Sequence, residues 1–131
     1  MTLKRVRKDK PGMGLTHVSV TIKNPKTGDY FQSRFLVDTG AMDSLVPASE
    51  LTKIGIEPVA KRTYKLADAT LLEFDVGLVE ISFMNETTAG RIIFGPENAE
   101  PILGVIALES AGMVVDPTNL TLKRLPAISL K

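Results

Sequence analysis

One acid in this sequence stands where acids are seldom found. Asp38 follows directly on the apolar run Phe35-Leu36-Val37 and precedes Thr39-Gly40-Ala41. A strand like Phe35 to Val37 is expected to be buried, and a carboxylate at its end must then be hydrogen-bonded, partnered or protonated. Such a group is a candidate for general acid or base work. Thr39 offers a hydroxyl beside it. Gly40 offers a backbone N–H without side-chain obstruction and permits a sharp turn. The same triplet is also a common turn composition, an Asx-turn closing a strand. The apolar lead-in and Ala41 behind the turn favour more than that.

The second informative segment is Pro101-Ile102-Leu103-Gly104, ahead of a helix candidate from Val105. Two apolar residues and a glycine before a helix suit a chain that must pass closely behind another backbone. Other chemistry is thinly represented. With no cysteine, disulfides, thiolate nucleophiles and zinc-thiolate sites are excluded. His17 is the single histidine, too little for a Ser-His-Asp triad or a His-rich metal site. Asp29, Asp43, Asp68 and Asp75 are scattered along the chain and could meet as a calcium site only by accident of folding, so no metal site is expected. Gly12-Met13-Gly14 is too short for a phosphate loop. Asn85-Glu86-Thr87 and Asn119-Leu120-Thr121 match the glycosylation sequon but fall where turns are expected.

The elements that must position Asp38 are short strands separated by turns. Val18, Val20 and Ile22 alternate with polar residues. Asn24 to Gly28 is a turn cluster, and an extended run resumes from Tyr30 to Val37, so residues 15 to 37 predict a hairpin. Leu45-Val46 is a short strand closed by Pro47. Ala48 to Gly55 predicts one or two helical turns with Ser49 as N-cap and Gly55 as the stop. Val59 to Leu66 and Leu71 to Val76 are two strands joined by Ala67-Asp68-Ala69-Thr70. Leu78 to Phe83 and Gly90 to Phe94 form a further hairpin across residues 84 to 88. Val105 to Ala111 is a short helix ending at Gly112. Met113 to Val115 and Leu120 to Leu125 close the chain. Many short strands with one or two brief helices predict an all-β fold, a small closed barrel-like sheet.

Taken together, Leu36-Val37-Asp38-Thr39-Gly40-Ala41, a hairpin near residues 64 to 74, then Ile102-Leu103-Gly104 and a short helix resemble the retropepsin-like aspartic proteases. Single-domain cellular relatives of the retroviral enzymes are the nearest match. Their tail resembles Ala107-Leu108-Glu109 through Val114-Val115-Asp116-Pro117. The resemblance covers roughly residues 15 to 125. It implies an acid-protease fold with a β-hairpin flap over a cleft. Asp38 is then catalytic, Thr39 braces two halves across a dimer axis, and Gly40 bonds the substrate backbone. It also implies a flap from Tyr64 to Phe74 with its tip near Asp68-Ala69. Substrate contacts would come from Ala41, Asp43, Leu66, Ala67, Asp68, Ala69, Ile102 and Leu103.

Peptide hydrolysis by this route needs two carboxylates sharing one proton. The chain has one such triplet, because Asp43 precedes Ser44, Asp68 precedes Ala69 and Asp116 precedes Pro117. The expectation is therefore a homodimeric endopeptidase acting on extended polypeptide, with Asp38 of each chain facing its symmetry mate. A catalytically weak relative that holds peptide or serves in assembly is the alternative. Two departures from the family pattern stand out. Retroviral members carry an acid two residues after the motif glycine and an arginine after the second apolar-apolar-glycine. Met42 and Val105 occupy those positions, so an apolar contact is expected to replace the ion pair. The flap tip also lacks glycine; aspartate tolerates left-handed dihedrals better than most residues, so Asp68 allows a hairpin there, and a stiffer, wider or open flap is the equal alternative.

Composition agrees with one soluble globular domain: 131 residues, 44% hydrophobic and 24% charged. No run is long enough to span a membrane. Five of the first ten residues are basic, and the rest of the chain is mildly acidic, with 5% aromatics and no Trp. A nucleic-acid reader would show a basic body with interleaved aromatics, so neither nucleic acid nor membrane is expected as a partner. Residues 1–14 are taken as a basic arm and 15–131 as the protease-like domain. No export signal opens the sequence, which predicts a cytoplasmic location.

Overall fold

Strand formation follows apolar alternation. In β1 (His17–Lys23) Val20 and Ile22 are buried while Ser19 and Lys23 are exposed. The computed structural model describes residues 16–128 and residue 130. The expected basic arm of residues 1–14 lies outside the described residues, as does Ser129. β1 pairs antiparallel with β2 (Tyr30–Val37), His17 opposite Leu36 and Lys23 opposite Tyr30. The last three residues of β2 are all buried, so this strand end is covered on both faces.

β3 (Ser44–Pro47) leads into α1 (Ala48–Lys53). The helix cap lies two residues earlier than expected. Pro47 is its N-cap, and Ser49 lies inside the first turn, its backbone N–H donating to Glu97. Gly55 takes φ +80 and ends the turn as expected. β4 (Ala60–Lys65), β5 (Leu71–Phe83) and β6 (Glu86–Gly95) form an antiparallel set. Where two strands were expected around Gly77, β5 runs through unbroken. A Cβ at Gly77 would come within 2.8 Å of Ile56 and 3.1 Å of Phe94. The glycine therefore admits neighbouring side chains and does not break the strand. The β5–β6 turn is also tighter than expected. Phe83 pairs with Glu86, leaving Met84 and Asn85 at φ 52 and 65. That is the double left-handed geometry of a two-residue hairpin.

β7 (Ile102–Leu103) precedes α2 (Val105–Ser110), then β8 (Met113–Asp116) and β9 (Thr121–Arg124) pair as a separate hairpin. The main sheet has seven strands in the order β1-β2-β7-β3-β6-β5-β4. β1 also bonds β5 along Thr21 to Lys23, so the sheet folds back on itself. The architecture is mostly β with two short helices. No helix among the described residues is long and apolar enough to cross a membrane. One apolar cluster, including Phe35, Leu51, Ile92, Leu103 and Leu108, forms the main core. A smaller one of Leu45, Val76, Ile93 and Ile102 packs with Ala41, Tyr64 and Phe74 on the side of β7 that faces the cleft.

The β4–β5 hairpin turns through Leu66 to Thr70. Leu66 N–H donates to Thr70 O at 2.8 Å, and Ala69 N–H to Leu66 O at 2.9 Å. The left-handed residue is Ala69, at φ 71, and not Asp68. Asp68 instead accepts the Thr70 N–H at 3.0 Å, and hydrogen bonds from Thr70 hold its carboxyl below the usual range. An alanine in this conformation costs about 1–2 kcal/mol, partly offset by the greater freedom of a glycine chain when unfolded. Ala69→Gly should therefore stabilise the protein by about 0.5–1 kcal/mol, read as a raised midpoint in thermal denaturation. A lowered midpoint would show that the turn does not need this conformation.

Candidate active site

Asp38 sits one residue beyond the end of β2 and is 6% exposed. Its backbone N–H donates to Leu103 O at 3.1 Å, so β7 fixes where the strand stops. Ala41 N–H returns to Asp38 O at 3.0 Å, closing a turn over Thr39 and Gly40. Within it Gly40 N–H donates to Asp38 Oδ1 at 2.9 Å. This is the Asx-turn bond considered above, and it also steadies one carboxylate oxygen. Thr39 and Gly40 are exposed at the tip.

The loop that follows is laced to the start of α2. Val105 N–H donates to Ala41 O at 2.8 Å, and Ile106 N–H to Met42 O at 3.1 Å. The first amides of a helix have no partner within it; here the carbonyls of the loop supply two. Gly104 N–H donates to the buried Ser44 Oγ at 3.0 Å. These bonds run from Val105 to Ala41 and from Ile106 to Met42, so they join backbones and are not the apolar contact expected between Met42 and Val105. The Met42 side chain itself is 62% exposed and lines the cleft.

A cleft of about 250 Å³ opens above Asp38. Its floor is Asp38, Gly40, Ala41, Met42 and Asp43. Leu45, Ile93 and Ile102 form an apolar wall, and Tyr64, Lys65, Leu66, Ala67 and Phe74 face it from the β4–β5 hairpin. The structure thus gathers Asp38, Gly40, Ala41, Asp43, Leu66, Ala67 and Ile102 around one space. Leu103 is not among them. Adjacent residues of a strand point to opposite faces, so Ile102 turns to the cleft while Leu103 is fully buried in the main core. Asp68 and Ala69 are exposed at the hairpin tip and do not line the cleft.

Asp43 is the second buried acid of the site. Its side chain is 3% exposed, and Oδ2 accepts the Tyr64 hydroxyl at 2.7 Å and Arg91 Nε–H at 3.1 Å. A buried carboxylate needs such partners. Burial pushes the Tyr64 hydroxyl up to about 12, and its hydrogen bond to Asp43 adds to the rise. The phenol therefore remains a donor well above neutral pH. Sequence reasoning missed both partners. The available signals were a tyrosine in the otherwise exposed, basic strand Ala60–Lys65 and a cation beside the apolar run Ile92-Ile93-Phe94. Among the described residues no group of three or more His, Asp or Glu side chains is placed to hold a metal.

No protein-family model matches the sequence, and no curated protein matches it. Solved structures do match. The solution structure of the simian foamy virus (mac) protease is 16% identical with a TM-score of 0.49, covering 68% of this chain and 87% of that one. The EIAV protease complexed with an inhibitor is 17% identical with a TM-score of 0.49, covering 72% and 86%. A retropepsin-like aspartic protease from Rickettsia conorii is 19% identical with a TM-score of 0.47, covering 82% and 88%. The chain is similar to retropepsin-like proteases. At these identities the likeness concerns fold.

Proposed function

We propose that the chain is an aspartic endopeptidase that acts as a C2 homodimer, with Asp38 of each protomer forming one dyad. The observation that carries this reading is the buried Asp38 carboxylate on the floor of a cleft faced by a β-hairpin. Two like charges in contact cannot both ionise, so a facing pair shares one proton. The ionised member takes a proton from a bound water, which attacks the scissile carbonyl carbon. The protonated member donates to the carbonyl oxygen. Roles reverse as the tetrahedral intermediate collapses and the amine leaves.

Three further features support the same reading. Thr39 is exposed at the tip of the turn, where a partner's copy can meet it. Leu125, Ile128 and Leu130 expose apolar side chains near the C-terminus, as a surface does that another chain covers. The apolar wall of Leu45, Ile93 and Ile102 suits an extended polypeptide with apolar side chains. We read the β1–β5 pairing as closing a small barrel, and we place the enzyme in the cytoplasm with no cofactor.

The test is cleavage of a diverse peptide library at acid pH across a range of enzyme concentrations, with the mass in solution measured in parallel. Specific activity should rise with concentration as dimer forms. Cleavage by a strictly monomeric species overturns the dyad. A confirmed dimer that cleaves nothing makes the chain a peptide-holding or assembly module.

A further inference from the structure

We infer that Asp43 is a positioning residue whose buried carboxylate pins the base of the β4–β5 hairpin to the Asp38 loop, leaving only the turn above Tyr64 to move. The inference rests on the protease reading for its meaning and on geometry for its content. One oxygen, Asp43 Oδ2, receives the Tyr64 hydroxyl from β4 and Arg91 Nε–H from β6. Three separate segments thus meet at one atom that is almost wholly out of water. A hydrogen bond to a charged acceptor is among the stronger kinds, and leaving a buried carboxylate unpaired is costly. The Tyr64 ring also lies 6.1 Å from the Phe74 ring on β5, so both strands of the hairpin are held at this level.

Above the pin the restraint is weaker. Residues 67 to 71 are all exposed, and the turn is closed by its own backbone bonds between Leu66, Ala69 and Thr70. Lys65, Leu66 and Ala67 face the cleft from this upper part, whereas Tyr64 and Phe74 face it from the pinned part. The hairpin is therefore divided. Its base is a fixed wall of the cleft, and its upper turn is the segment able to close over a bound chain. Asp43 is a cleft residue whose Oδ2 serves the hairpin, not a substrate.

Tyr64→Phe tests this, because it keeps the ring and removes one hydrogen bond. Hydrogen exchange of the amides at the pinned level, 62–64 on β4 and 72–74 on β5, should quicken about tenfold, with the strands away from the hairpin unchanged. Asp43→Asn retains an acceptor for the hydroxyl and should restore most of the protection that Asp43→Ala loses. With a cleavable peptide, KM for Tyr64→Phe should rise by a larger factor than kcat falls. Unchanged exchange at 62–64 and 72–74 in Tyr64→Phe, or a uniform rise across the whole chain, overturns the pin. Exchange needs no substrate, so the two readings fail separately: a loosened hairpin on a chain that cleaves nothing upholds the pin and sinks the protease.

Discussion

If the chain works as the proposed homodimer, Asp38→Asn should lower kcat/KM at least about 10³-fold while leaving the fold and that dimer intact. Asparagine has the shape of aspartate, and its Oδ1 still accepts the Gly40 N–H that the wild-type oxygen accepts at 2.9 Å. What it lacks is a proton that can be lost and regained. In a homodimer the substitution also strikes both members of the dyad at once. Mixing offers a sharper form of the test. When wild-type and Asp38→Asn chains exchange freely, only dimers with two acids are competent. Activity should fall as the square of the wild-type fraction. A linear fall would mean that each chain works by itself, and retained activity in the pure variant would remove Asp38 from the chemistry.

Gly104→Ala should destabilise the protein by about 3 kcal/mol, at the upper end of what overpacking costs. A Cβ there would lie 2.7 Å from the carbonyl carbon of Asp43 and 2.8 Å from the carbonyl oxygens of Asp43 and Met42. These are backbone atoms, so no rotamer change relieves the clash. The same carbonyl of Met42 receives the Ile106 N–H, and Gly104 N–H itself bonds Ser44 Oγ. Any retreat of the loop therefore breaks bonds that hold the segment carrying Asp38. For a chain of this size the midpoint of thermal unfolding should drop by roughly 10 °C. Gly90→Ala is the control, because nothing lies within 4 Å of a Cβ built there. Equal stability of the two variants would show that the close approach in the structure is wrong.

The sequence made some of this legible and hid the rest for identifiable reasons. Asp38 could be singled out because an apolar run led into it, and Gly104 because a glycine between an apolar pair and a helix implies close passage. Both signals are local. The β1 alternation and the Gly112 stop after α2 were legible for the same reason; Gly112 has φ +74. The Asp43 partners were not, because Tyr64 and Arg91 are 21 and 48 residues away in the chain. No periodicity links residues so far apart. Gly77 misled because glycine usually interrupts a strand, whereas here it makes room for Ile56 and Phe94. The Met84-Asn85 turn was hidden because a tight hairpin turn usually announces itself by glycine. The family resemblance pointed to both Ile102 and Leu103 as cleft residues, and strand alternation allows only one of them to be so.

Among the described residues, β4 is the one strand of the seven-stranded sheet with a single neighbour, since β1 is bonded to β5 as well as to β2. That unpaired border is the outer margin of the hairpin, and it carries Lys61, Arg62 and Lys65, all exposed. Bare borders invite copies to stack into fibres, and like-charged side chains oppose it. The hairpin can therefore stay loosely held at its tip, as its proposed work demands, without becoming the place where the protein polymerises.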